Sequence, residues 1–167
     1  MVAAAQAGNL ILQIGHVERF NPAMQALEQI VTRPRFIEAH RLAPYPTARR
    51  GQLPRGTEVS VVLDLMIHDL EVILHLVRAP VREIHAVGVP VLSASEDIAN
   101  VRLTFENGCV ANVTTSRISP ESKRKIRIFQ EDAYISLDYQ NQTGELYRRA
   151  DGKIERSRVP VERGEPL

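Results

Sequence analysis

Apolar and polar positions change rhythm twice along the chain. "VAAAQA" reads as the end of a helix, closed by "GN", and the apolar run "LILQIG" after it has the character of a buried strand. "NPAMQALEQIV" then repeats at helical spacing: Met24, Leu27 and Ile30 or Val31 share one face, Asn21 stands as N-cap and Pro22 at the first helical position. "RFIEAHRL" alternates as a strand does. The Pro/Gly/Arg-rich "APYPTARRGQLPRGT" is a loop, and "EVSVVLDLMIHDLEVILHLV" predicts a long buried helix from about Glu58 to Val77. From "RAP" onward the period is two. "VREIHAVGVPVL", "DIANVRLTFE", "CVANVTTSRIS", "KRKIRIFQE", "AYISLDYQ", "GELYRRA" and "KIERSRVPV" read as successive strands, with "ENGC" and "ADGK" as hairpin signals.

This order predicts an α+β fold: a large, mostly antiparallel open sheet, a meander of seven strands covered on one face by helices. Ile126, Ile128, Ile135 and Leu137 with their alternate neighbours are expected to reach both faces, leaving the open one apolar enough to associate with another copy, as a dimer or larger homo-oligomer. The opening is abrupt. A chain that starts in a helix and meets an apolar strand with nothing to pair with reads as a piece of something longer, with residues 1–17 a remnant and 18–167 the domain.

Composition narrows the function classes. A hydrophobic fraction of 44% and a charged fraction of 25% are those of a globular protein, and a net charge of +1 speaks against a nucleic-acid partner and against a membrane. The local exception, "SRISPESKRKIRIF", carries five basic residues in fourteen and reads as a solvated face. Cys109 is the only cysteine, so an intramolecular disulfide and a CxxC zinc cluster are excluded and a cytoplasmic setting is expected. No signal-peptide pattern opens the chain, and no apolar run reaches 18 residues.

The chemistry sits in "LDLMIHDLEV", residues 63–72. At about 100° per residue, Asp64 and His68 fall on one helix stripe one turn apart, and Glu71 and His75 continue it. Burying such groups unpartnered costs on the order of 1–3 kcal/mol each, so something must meet that face. Four readings stay open on the pattern: core residues bonded to neighbours, a metal site, an acid/base pair, or a ligand-binding face without chemistry.

"GHVERFNPA", then "DLMIHDLEVI" some forty residues on, then the "FENGCVANVTTSR" hairpin, resemble the Gfo/Idh/MocA family of NAD(P)-dependent oxidoreductases over essentially the whole chain. The wording is most similar to the branch acting on nucleotide-activated amino sugars such as UDP-N-acetylglucosamine. The resemblance implies a C-terminal α+β domain that contacts a sugar or nucleotide-sugar substrate and assembles through its open sheet, preceded by the end of a Rossmann domain that holds NAD or NADP. It implies that His68 is the catalytic acid/base and Asp64 a substrate-binding or orienting carboxylate. Glu18, Arg19 and Asn21 would line the cleft, and Arg41 and Arg117, on strands facing the helix, would contact substrate.

The chain departs from that family in having no GxGxxG and no Glu-Lys-Pro lysine, and in reading "EVSVVLD" where a Gly-rich lead is usual. No cofactor is therefore expected to bind this chain alone, nor any metal, and the chain alone is expected not to turn over. The alternative implied by the same fold is a non-catalytic ligand-binding or assembly domain.

Overall fold

The computed structural model describes residues 1–47, 54–162, 164 and 165; the rest of the predicted loop, residues 48–53, lies outside the described residues. Eight strands make one sheet: β1 (Phe36–Leu42), β2 (Val81–Val89), β3 (Ile98–Phe105), β4 (Val110–Ser116), β5 (Lys123–Phe129), β6 (Ala133–Asp138), β7 (Thr143–Ala150) and β8 (Lys153–Arg158). All seven C-terminal strands form, but they are not an uninterrupted meander. The order is β2-β3-β4-β1-β5-β6-β7-β8, with β1 parallel to β4 and antiparallel to β5. Residues 117–122, between β4 and β5, run past β1 and leave it room in the middle of the sheet.

Helices α2 (Pro22–Ile30) and α3 (Ile67–Val77) bury Leu27, Ile73 and Leu76 in one apolar cluster with one sheet face. Here the expectation for Ile126, Ile128, Ile135 and Leu137 is corrected. All four are buried on the covered face, because Ile126 pairs with Leu137 and Ile128 with Ile135 in a register that keeps like with like. The open face is polar along most of its rows. One row is aromatic: Phe36, Phe129, Tyr134 and Tyr147 succeed one another on β1, β5, β6 and β7 with centroid separations of 5.8, 4.7 and 5.4 Å, and Arg156 caps Tyr147.

Local signals explain the element ends. Asn21 Oδ1 accepts the Ala23 N–H at 3.0 Å, the N-cap expected of it. The long helix starts later than its apolar pattern. Ser60 Oγ accepts the Val62 N–H, and Val62–Met66 forms a wide π turn before α3 begins. The α3 C-cap, Arg78, is left-handed at φ 52°. In the "ADGK" hairpin Asp151 and Gly152 both take positive φ, as a type I′ turn requires. At the start, α1 (Val2–Ala7) forms, but "LILQIG" is no strand: Leu10 and Ile11 are 69% and 96% exposed, and among the described residues no strand lies beside them to pair their backbone.

Candidate functional site

Asp64 stands in the π turn and His68 four residues later, in the first turn of α3. The largest charge effects on His68 come from Arg41, Glu18, Asp69 and His16. Asp64 and His68 both sit half-buried on the same helical segment, and among the described residues no protein hydrogen bond reaches the Asp64 carboxylate, which lies against Gly56. Among the described residues His68 Nδ1 is buried without a partner, with the His16 ring edge-on and its centroid 6.5 Å away. Burial first, then the Arg41 guanidinium, hold the His68 pKa below its ordinary value of 6.5. The imidazole is therefore neutral near pH 7, able to accept a proton.

Beneath it lies a buried polar knot. Asp69, adjacent to His68 and turned about 100° toward the core, is 2% exposed; it accepts Arg41 Nε at 2.7 Å and the Tyr139 hydroxyl. Arg41 reaches back to Glu18 Oε1 at 3.3 Å with both terminal nitrogens. Burial alone would lower the Arg41 pKa, but Tyr139, Asp69 and Glu18 outweigh it and keep the guanidinium charged. Burial, then the Asp69 carboxylate, raise Tyr139 well above its ordinary range, so it stays an O–H donor. Removing one member of such a buried pair costs about 3–5 kcal/mol. Sequence reasoning did not single out Asp69 or Tyr139. The available signal was an acid inside an apolar run, off the polar stripe and on the core side, where it has to be paired.

The other predicted residues divide. Glu71 and His75 do not face an open site: Arg19 Nε donates to Glu71 at 2.8 Å, and His75 Nε2 lies 2.6 Å from Glu28. Arg19 is at the surface, beside a cavity under residues 13–20. Asn21 is engaged in its cap and in a 3.2 Å bond to the Tyr139 carbonyl. Glu18 and Arg41 stand next to His68 but hold each other.

Arg117 is corrected outright. It is 2% exposed, and its donors go to Asp97 (2.8 Å), the carbonyls of Gly56, Val59 (2.8 Å) and Glu96 (3.0 Å), and the hydroxyls of Ser93 (3.0 Å) and Ser95 (2.9 Å). It ties the loop before the π turn to the loop before β3 and has no N–H left for a ligand.

Among the described residues no three His, Cys, Asp or Glu side chains are grouped to hold a metal ion, and no helix is long and apolar enough to cross a membrane. The arrangement offers a neutral imidazole and, among the described residues, a carboxylate without a donor, on a helix whose first turn is anchored to the sheet. It can take a proton from, and orient, a hydroxylated molecule.

The profile of the GFO/IDH/MocA C-terminal domain matches residues 28–136. A UDP-N-acetylglucosamine 3-dehydrogenase of Acidithiobacillus ferrooxidans is 40% identical over 155 residues, covering 92% of this chain and 47% of that protein. A solved structure of UDP-N-acetylglucosamine 3-dehydrogenase from the same organism superposes with a TM-score of 0.84 at 37% identity, over 99% of this chain and 52% of the other. Levoglucosan dehydrogenase in complex with NADH shares the fold, with a TM-score of 0.78 at 15% identity over 95% of this chain and 49% of that one. The chain thus spans about half the length of these relatives.

Proposed function

The chain belongs to the GFO/IDH/MocA family through that family's C-terminal domain, and we propose that it is the substrate-facing part of a dehydrogenase that oxidises a hydroxyl of a nucleotide-activated amino sugar. The Acidithiobacillus relative, named for UDP-N-acetylglucosamine, supports the substrate class. The observation that carries the chemistry is His68: a neutral imidazole whose buried Nδ1 has no partner among the described residues, on the same helical segment as an Asp64 carboxylate that no donor of the described residues reaches.

Oxidation of an alcohol removes a hydride from carbon and a proton from oxygen. The residues of this chain provide for the proton: His68 accepts it, and Asp64 takes a hydrogen bond from a neighbouring hydroxyl and so fixes the ring's orientation. The dinucleotide is a different matter. Its pyrophosphate needs a glycine-rich turn opening onto a helix N-terminus, whereas α2 and α3 are preceded by Asn21 and by the Ser60 turn. These residues do not fit NAD or NADP, and the reading gives them the sugar and the proton only. It is a reading of a cytoplasmic protein whose open sheet face packs on a second copy.

The test is turnover by the gene product containing this chain, with UDP-N-acetylglucosamine and NAD⁺ or NADP⁺, followed as reduced nicotinamide. His68→Asn is expected to keep the melting temperature and lower kcat roughly 10² to 10⁴ fold, the worth of a positioned acid/base. A fully active His68→Asn enzyme would end the catalytic reading. Tight sugar-nucleotide binding without turnover in the unmodified protein would favour the non-catalytic one.

A further inference from the structure

The basic stretch "SRISPESKRKIRIF" is only partly accounted for by loop and surface roles. Arg117 is saturated within its loops. Alternation along β5 turns Lys123, Lys125 and Arg127 to the open face, where Arg127 meets Glu38 at 2.6 Å. Arg124 is the exception: it points to the covered face with Ile126 and Ile128, directly opposite Arg41 in the β1–β5 ladder.

Like charges opposite each other across two strands repel, and something must offset them. Glu18 does so in part, its Oε1 accepting from both guanidinia at 3.3 and 3.4 Å. Arg41 also has Asp69. Among the described residues Arg124 has only the long Glu18 contact, and its side chain is 47% exposed. Its charge is thus incompletely matched, and it borders a cavity of about 220 Å³. Arg41, Leu65, Ser122 and Gln140 are further walls of that cavity, and among the described residues no protein hydrogen bond reaches the side chains of Ser122 or Gln140. Arg41 also bonds the residue following His68, so cavity and candidate base share a wall.

A drug-sized ligand fills roughly 300–1,000 Å³. This cavity takes one group of a ligand rather than the whole of it. A guanidinium with free N–H pairs suits a phosphate's bidentate geometry, and a hydroxyl and an amide add neutral donors. We propose that Arg124, Ser122 and Gln140 form the subsite for the diphosphate of a nucleoside-diphosphate sugar, whose sugar end then extends toward His68. The proposal rests on the substrate class of the preceding section but not on its chemistry.

Calorimetric titration of the chain with UDP and with uridine tests it. UDP is expected to bind more tightly than uridine, and more weakly as salt rises. Arg124→Gln should cost on the order of tenfold or more in UDP affinity, the worth of charge-assisted hydrogen bonds, and leave uridine unchanged; Arg124→Lys should fall between. The melting temperature should hold or rise, since Arg41 loses a like-charged neighbour. Lys125→Gln, on the opposite face, is the control and should bind as the unmodified chain does. Equal UDP affinity in Arg124→Gln, an equal loss in Lys125→Gln, or no UDP binding by the chain would each overturn the subsite. Because binding is read without turnover, an active His68→Asn enzyme would refute the catalytic reading and leave this one standing.

Discussion

At the scale of single residues, the charges around His68 come from four places. His16 faces it from the N-terminal segment, Glu18 from the short turn before α2, Arg41 from β1, and Asp69 from α3 itself. Arg41 and His16 oppose protonation of the ring; Glu18 and Asp69 favour it. Replacing charges should therefore move the ring's titration in opposite directions. Arg41→Gln should raise the His68 pKa and Glu18→Gln should lower it, each read from the imidazole NMR signal identified by its loss in His68→Asn. A shift of the same sign in both would mean that the knot acts by loosening rather than by charge. Stability carries a related sign. A histidine whose pKa is lowered by folding binds protons more readily when unfolded, so its contribution is complete above 6.5 and is lost as pH falls below it. Urea denaturation should show that loss in the unmodified chain and a smaller one in His68→Asn.

At the scale of elements, the turn entering α3 decides where Asp64 stands. Gly56 has φ +88°, and a Cβ built on it would lie 2.6 Å from Asp64 Oδ2. Gly108, in the β3–β4 hairpin, has φ +83° with nothing within 4 Å. Alanine at either position meets the same left-handed strain, about 1–2 kcal/mol. Only Gly56→Ala must also displace a carboxylate. Its loss in urea denaturation is expected to exceed that of Gly108→Ala, and in the gene product to come with a raised KM for the sugar nucleotide. Equal losses, with KM unchanged, would show that Asp64 yields freely and is not held for a ligand.

At the scale of the whole molecule, the covered face absorbs the isoleucines of β5 and β6, and what stays open is a polar surface crossed by one aromatic row. Four of the chain's eight Phe and Tyr residues lie in that row. Aromatic rings lined up on an uncovered sheet favour a partner surface. Light scattering is expected to give about twice the 18.7 kDa chain mass, and Tyr134→Lys, which puts a charge in the middle of the row, should shift it toward the monomer. A monomer at tens of micromolar in the unmodified chain would contradict the second-copy reading.

Periodicity along the chain was enough for the seven C-terminal strands, the Asn21 cap, the α2 face and the "ADGK" turn, because each depends on neighbours within a few residues. The same local patterning marked His68 and Asp64 as polar groups in an apolar helix. It could not say which of the surrounding charges would meet them. That β1 lies between β4 and β5 is a pairing across long sequence separation, and it alone brings Arg41 under His68 and opposite Arg124. Asp69 and Tyr139 became partners for the same reason, and Arg117 changed from a substrate candidate to a loop tie because both loops close around it. A sequence determines what each segment buries; which buried charge answers which is decided only when the segments pack, since pairing energies act through space and not along the chain.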